Sequence, residues 1–123
     1  GLLAEEYYRD AVQQLRARGV IWDRVWVFTD DETAVKREFS KLLQSENATF
    51  LEGASQARPG EALAVLSESS YLIIANSTFS WWAAMLGNQD KIVVAPTKWN
   101  IGMVDPEDLI PESWLRQESK WLV

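Results

Sequence analysis

Neither cysteine nor histidine occurs anywhere in the 123 residues. The first absence excludes a disulfide framework and any thiolate metal site. The second removes the imidazole base and the commonest metal ligand. Asp, Glu, Lys and Tyr are left for acid–base work. Basic charge is also scarce, with 12 Lys and Arg against 18 Asp and Glu, a formal net charge of −6. Nucleic acid and anionic lipid are gripped by basic surfaces that release counterions, so neither is an expected partner, and a phosphate-bearing ligand has to be held by local geometry. No apolar run reaches the roughly 20 residues of a spanning helix. The opening Gly1-Leu2-Leu3-Ala4-Glu5-Glu6 lacks the basic flank and long apolar stretch of a signal peptide. A soluble chain without a membrane span is expected.

What is present is the composition of a globular protein, 47% hydrophobic and 24% charged, with no repeat or low-complexity run. A chain of this length buries about two-thirds of its unfolded surface, which predicts one core and a single domain over 1–123. The apolar positions Ala4, Tyr7, Tyr8, Ala11, Val12 and Leu15 recur at helical spacing over 4–18, and Gly19 supplies a left-handed stop. Val25-Trp26-Val27-Phe28 predicts a strand, and Thr29-Asp30-Asp31 the cap of a following helix that gathers Val35, Phe39, Leu42 and Leu43 on one face. Ala48-Thr49-Phe50-Leu51 is a weaker strand, 53–60 reads as a loop, and a short helix is expected from Glu61 to about Ser69.

Tyr71-Leu72-Ile73-Ile74-Ala75 is apolar at every position, as a strand covered by helices on both faces must be, and it is expected at the centre of the sheet. Phe79, Trp82, Ala83 and Leu86 then recur at helical spacing, which predicts a helix with Phe79 and Trp82 in the core and Trp81 freer. Lys91-Ile92-Val93-Val94-Ala95 is expected as the last strand, stopped by Pro96, with irregular structure and short amphipathic pieces beyond it. Strand and helix alternate, so the fold class is α/β with a parallel sheet and right-handed crossovers. Ligands of such sheets bind beyond the carboxyl ends of the strands. Two junctions of this kind carry small polar side chains, Thr29-Asp30-Asp31 and Asn76-Ser77-Thr78.

At Asn76-Ser77-Thr78 a helix amino-terminus offers free N–H groups and the positive end of its dipole, a place for an anion such as diphosphate. The plainer reading is that Asn76 or Ser77 simply caps the helix. Asp30 and Asp31 divide in the same way, because acidic residues suit a first helical turn whatever the function. Adjacent carboxylates after a strand point apart, and with no third ligand in view no metal is expected. Glu61, Arg58 and Lys98 lie in or beside loops at the same end of the sheet and read as solvated charges. Asn47-Ala48-Thr49 and Asn76-Ser77-Thr78 both fit the glycosylation acceptor pattern, which is too short to carry weight.

The run Ile73-Ile74-Ala75-Asn76-Ser77-Thr78-Phe79-Ser80-Trp81-Trp82-Ala83-Ala84-Met85-Leu86 closely resembles the carboxyl-terminal motif of glycosyltransferase family 11, the α-1,2-fucosyltransferases. Val27-Phe28-Thr29-Asp30-Asp31 resembles the family's Phe-Ser-Asp-Asp segment. Lys91-Ile92-Val93-Val94-Ala95-Pro96 with Lys98-Trp99 is similar to its next strand, and Leu109-Ile110-Pro111-Glu112-Ser113-Trp114 to its closing segment. The resemblance implies part of the carboxyl-terminal domain of a GT-B enzyme, a Rossmann-like parallel sheet of about four strands with helices on both faces. It also implies transfer of fucose from GDP-fucose to the 2-hydroxyl of a galactoside or other glycan acceptor, with no metal or further cofactor. Asn76, Ser77 and Thr78 would face the donor diphosphate, with Asp30 and Asp31 nearby.

Three departures from the family pattern bear on activity. The family's His-x-Arg-x-Gly-Asp motif, expected on a strand just before the first helix, is missing. Glu61 stands one position from the acidic residue expected to contact guanine. Ser69 and Tyr71 replace a cysteine and a histidine. The isolated chain is therefore expected to bind donor without turnover, the alternative being a non-catalytic binding or assembly module that keeps the fold. The missing strand belongs between those at Val25 and Tyr71, so these two are expected to pair directly or to associate through another chain, as in a homo-oligomer, since an open buried edge is costly. A cysteine-free user of nucleotide sugars suits the cytoplasm.

Overall fold

The computed structural model describes residues 2–51 and 59–122. The first helix, α1 (Glu5–Ala17), follows the apolar period closely and buries Tyr7, Ala11, Val12 and Leu15. Glu5 and Glu6 in its first turn and Arg16 in its last complement the helix dipole. It closes on Gly19 (φ +80°), whose N–H donates to the Arg16 carbonyl at 2.9 Å, while the Val20 N–H reaches back to Leu15 at 3.2 Å. This paired closure requires a left-handed residue, which only glycine adopts without steric cost.

The remaining elements are β1 (Trp26–Val27), α2 (Glu32–Glu38), α3 (Ser40–Ser45), β2 (Thr49–Phe50), α4 (Pro59–Ser67), β3 (Tyr71–Ile73), α5 (Thr78–Met85), β4 (Ile92–Pro96) and β5 (Leu115–Gln117). Helices and parallel strands alternate, the α/β pattern expected. The strands form two small parallel sheets, one of β1 with β2 and one in the order β3-β4-β5. Of the loop expected over 53–60, residues 53–58 lie outside the described residues, and Pro59 and Gly60 already belong to α4.

The three-stranded sheet holds the core. Successive β4 side chains alternate between faces. Val94 packs with Ala11 and Leu15 of α1, whereas Val93 and Ala95 pack with Ile74, Ala84, Ile110 and Trp114 on the α5 side. Each fully buried Val or Ile here contributes roughly 1.5–3 kcal/mol. A hydrogen bond from the Tyr7 hydroxyl to the Ile74 carbonyl, 2.6 Å, ties α1 to the end of β3. Burial pushes the Tyr7 phenol far above its ordinary range and that of Tyr8 up to about 12.

Three expectations are corrected, and one of two alternatives falls away. The strand at the centre is β4, and β3 is an edge whose Tyr71 is 37% exposed. The displacing element is β5, which pairs with β4 through Val94↔Leu115, Ala95↔Arg116 and Pro96↔Gln117, so the strand at Ile92 is not the last. Pro96 ends β4 within the ladder: its missing N–H would face β3, whose pairing closes at the Ile74 N–H to Val94 carbonyl bond, and the Thr97 N–H continues to Gln117 on the other side.

The single helix expected after Asp31 is broken at Phe39 (φ −121°, ψ 24°) into α2 and α3. Two contacts from α1 hold the break. The Glu5 carboxylate accepts the Leu42 N–H at 3.3 Å, and Tyr8 meets Phe39 edge to face at 5.3 Å.

Finally, of the two alternatives for the strands at Val25 and Tyr71, direct pairing is not seen, since β1 and β3 lie in different sheets. Bonds from Ile92 N–H to Ser70 and from Ile74 N–H to Val94 turn the even-numbered residues of β3 toward β4. The N–H and C=O groups of Tyr71 and Ile73 therefore point to the opposite edge, where no described strand pairs with them. On β1, Val25 and Val27 accept from Thr49 and Leu51, which leaves Trp26 facing away from β2. The rigid pairing of α1 with β3 through Tyr7, and the separate anchoring of α3 on Glu5, hold the two sheets without a shared ladder.

Candidate functional site

Both polar junctions singled out in the sequence fall where a parallel sheet leads into a helix. After β3 the chain turns through Asn76 and Ser77 into α5, with Ser77 extended (φ −117°, ψ 150°) as its N-cap. The Ser77 Oγ accepts the Ser80 N–H at 3.1 Å and shares a 2.7 Å hydrogen bond with the Ser80 hydroxyl. Ser77 thus does the capping that the plainer reading expected. Thr78 opens the helix and is exposed, as is Ser77. Asn76 is half-buried, and its Nδ2 donates to the Trp99 carbonyl at 3.1 Å.

After β1 the Asp31 N–H bonds the Thr29 Oγ1 at 3.0 Å, and the Asp31 Oδ1 caps α2 by accepting the Ala34 N–H at 3.1 Å. Asp30 is exposed beside it. The two junctions are joined by aromatic stacking. Phe28, immediately before Thr29-Asp30-Asp31, lies over Phe79, immediately after Asn76-Ser77-Thr78, with ring centroids 4.9 Å apart and planes 12° from parallel. Phe79 is therefore half-buried as a clasp between the junctions.

Glu61 sits in the first turn of α4. α4 packs along α5, and their carboxyl ends meet where the Asn88 N–H bonds the Ser67 carbonyl at 3.0 Å. The helices run side by side in the same direction, which puts Glu61 at the same end of the molecule as Ser77. Arg58 lies outside the described residues. Lys98 is exposed, and its peptide is fixed by Ser119, whose Oγ accepts the Lys98 N–H at 2.9 Å and donates to the Lys98 carbonyl at 2.8 Å. Among the described residues no three Asp or Glu side chains converge as metal ligands, and no helix is long and apolar enough to cross a membrane.

The two tryptophans exchange the roles expected of them. The Trp81 indole donates to the Leu109 carbonyl at 2.7 Å, and its ring packs on the core cluster of Ile74 and Ala84. Trp82 is 47% exposed and meets Trp81 edge to face. The reason is degeneracy of pattern. Thr78-Phe-Ser-Trp-Trp-Ala-Ala-Met85 is apolar nearly all round, so two helical phases fit it equally well, and the sheet selects the one through Trp81, Ala83 and Ala84.

Beyond Lys98, the part played by the segment 97–110 was not foreseen from the sequence. The segment is fastened to the α5 junction by the Asn76 and Trp81 bonds and stiffened by Asp105, whose carboxylate takes the Trp99 N–H at 2.6 Å and the Asn100 amide at 2.9 Å. The sequence placed Lys98 beside this end of the sheet, but nothing local marked Asn100 and Asp105, whose Asn-x-x-x-x-Asp spacing is too common to single out.

A helix amino-terminus carrying Ser77 and Thr78 thus lies at the carboxyl end of a parallel strand, joined through the Phe28–Phe79 stack to a second strand-end junction. The family model for glycosyl transferase family 11 matches residues 3–116. The chain belongs to that family. It is 36% identical over 126 aligned positions to an alpha-1,2-colitosyltransferase of Escherichia coli, an alignment covering 96% of this chain and 40% of that protein. It is 32% identical over 117 positions to the O-antigen biosynthesis glycosyltransferase WbnK of Escherichia coli, covering 94% of this chain and 37% of that protein. The chain thus spans about two-fifths of the length of these relatives. No solved structure gives a significant match.

Proposed function

We propose that this chain is the donor-binding part of a family 11 glycosyltransferase, and that a nucleoside diphosphate sugar is held where the β1 and β3 junctions meet. The observation that supports the reading is the Phe28–Phe79 stack at 4.9 Å, between the residue just before Thr29-Asp30-Asp31 and the residue just after Asn76-Ser77-Thr78. The diphosphate lies against the first turn of α5, where Thr78 and the uncapped N–H groups offer donors and the helix dipole favours negative charge. Ser77 keeps its capping bond while the ligand binds. Glu61, at the same end, approaches the base.

The donor we favour is GDP-fucose and the acceptor a terminal galactoside, taken at its 2-hydroxyl as the family resemblance implies. The name of one relative makes colitose a competing donor sugar.

Two features support a Rossmann-like sheet completed outside this chain. Among the described residues no strand pairs with the outer edge of β1 or of β3, and the relatives are about two and a half times as long as the part aligned with this chain. One further strand, bearing the family's His-x-Arg-x-Gly-Asp motif, would join the halves into one sheet. Its arginine would add a charge-assisted contact to phosphate that this chain cannot make, so the chain alone binds weakly and leaves an acceptor unmodified. Titration with GDP, followed by tryptophan fluorescence, is expected to saturate in the millimolar range or below. No response at millimolar GDP overturns the donor-binding reading. Competition with GDP-fucose and with GDP-colitose separates the two donor sugars.

A further inference from the structure

We infer that Asp105 is a positioning residue for Asn76, so that the segment after β4 sets the orientation of a side chain at the donor site. This inference rests on the donor-binding reading above. Asp105 is half-buried. Its Oδ2 accepts the Trp99 N–H at 2.6 Å, and its Oδ1 accepts the Asn100 side-chain amide at 2.9 Å. The first bond fixes the peptide entering Trp99, and the second fixes the residue that follows. The two bonds restrain the chain on either side of the Trp99 carbonyl, which accepts from Asn76 Nδ2 at 3.1 Å.

A side-chain amide has a donor end and an acceptor end that exchange on a flip of its terminal torsion. With Nδ2 engaged by Trp99, that flip would set oxygen against oxygen, so a carboxylate on another segment favours one of the two orientations of the Asn76 amide. A charged acceptor makes the stronger kind of hydrogen bond, which suits Asp at this position better than a neutral side chain. The segment cannot drift from the helix at its far end either. Trp81 of α5 donates to the Leu109 carbonyl at 2.7 Å, and Trp99 and Leu109 pack on the same core cluster as Ala84.

A double-mutant cycle on GDP affinity, measured by calorimetry, tests this. Asp105→Ala is expected to weaken GDP binding about tenfold, the scale of one coupled contact, and Asp105→Asn, which keeps an oxygen for the Trp99 N–H, to recover most of the loss. In the Asn76→Ala background the Asp105 substitutions should change affinity by less than about twofold. Equal losses in both backgrounds, or no loss in either, overturn the inference. If Asp105→Ala does not fold, Asp105→Leu, which fills the same space without an acceptor, carries the same cycle with the same expected loss.

A readout without ligand separates this inference from the reading beneath it. The side-chain amide resonances of Asn76 should shift on Asp105→Ala with no nucleotide present. Unmoved resonances overturn the positioning role even where GDP binds. A shift in a chain that fails to bind GDP supports the positioning role while overturning the donor-binding reading.

Discussion

The two sheets of this molecule are held by different means. In the β3-β4-β5 sheet, four of the five β4 residues are buried, and helices cover both faces. In the β1-β2 sheet, Trp26 is 50% exposed, and α2 and α3 bury no residue fully. That half is fastened by discrete polar and aromatic contacts: the Arg16–Glu46 ion pair, the Glu5 bond to Leu42, the Tyr8–Phe39 edge contact and the Phe28–Phe79 stack. The first half resists change because moving any side chain opens a void. The second yields at low cost, because surface ion pairs and single ring contacts are each worth little. The proposed ligand site lies across the seam, with one wall on the well-buried half and one on the half held by discrete contacts.

The sharpest way to break this contrast is inside the stiff half. Gly87 has φ +71°, and a Cβ there would stand 2.5 Å from the Ser67 carbonyl oxygen. Gly87→Ala combines about 1–2 kcal/mol for a left-handed backbone with about 1–3 kcal/mol for forcing packed atoms apart. Chemical denaturation should therefore register a loss of roughly 2–5 kcal/mol. A loss below about 0.5 kcal/mol, the ordinary surface value, would mean that the α4–α5 contact is looser than described.

A smaller effect belongs to the compliant half. Asp31→Ala removes the α2 cap and should cost about 1 kcal/mol of stability, read in the same denaturation experiment. It should leave amide exchange in β4 unchanged while speeding exchange in α2. Faster exchange spreading into β4 would show that the halves act as one cooperative unit, contrary to the comparison.

Much of this was legible in the sequence where a local rule decides the outcome. The period of α1, its stop at Gly19, the capping by Asp31 and Ser77, and the alternation of strands and helices all follow from residues close together in the chain. What was not legible depended on distant partners. β5 is three residues, Leu-Arg-Gln, without a pattern of its own, and exists because β4 offers it an edge. The break at Phe39 depends on Glu5 and Tyr8. The phase of α5 could not be read from eight residues that are apolar nearly all round, so Trp81 and Trp82 were interchanged. At the two junctions the residue types and their capping roles were legible. The Asp105 relay to Asn76 was not, since it needs the path of the chain after β4.

The central claim is that the β1 and β3 junctions form one site for a nucleoside diphosphate. Mapping backbone amide chemical-shift changes on titration with GDP tests it most directly. The account predicts that Asp30 and Asp31 shift together with Ser77, Thr78 and Phe79 along a single binding curve. Shifts confined to one junction, or gathered elsewhere such as the hollow lined by Arg16, Val20, Ile21 and Trp22, would contradict it.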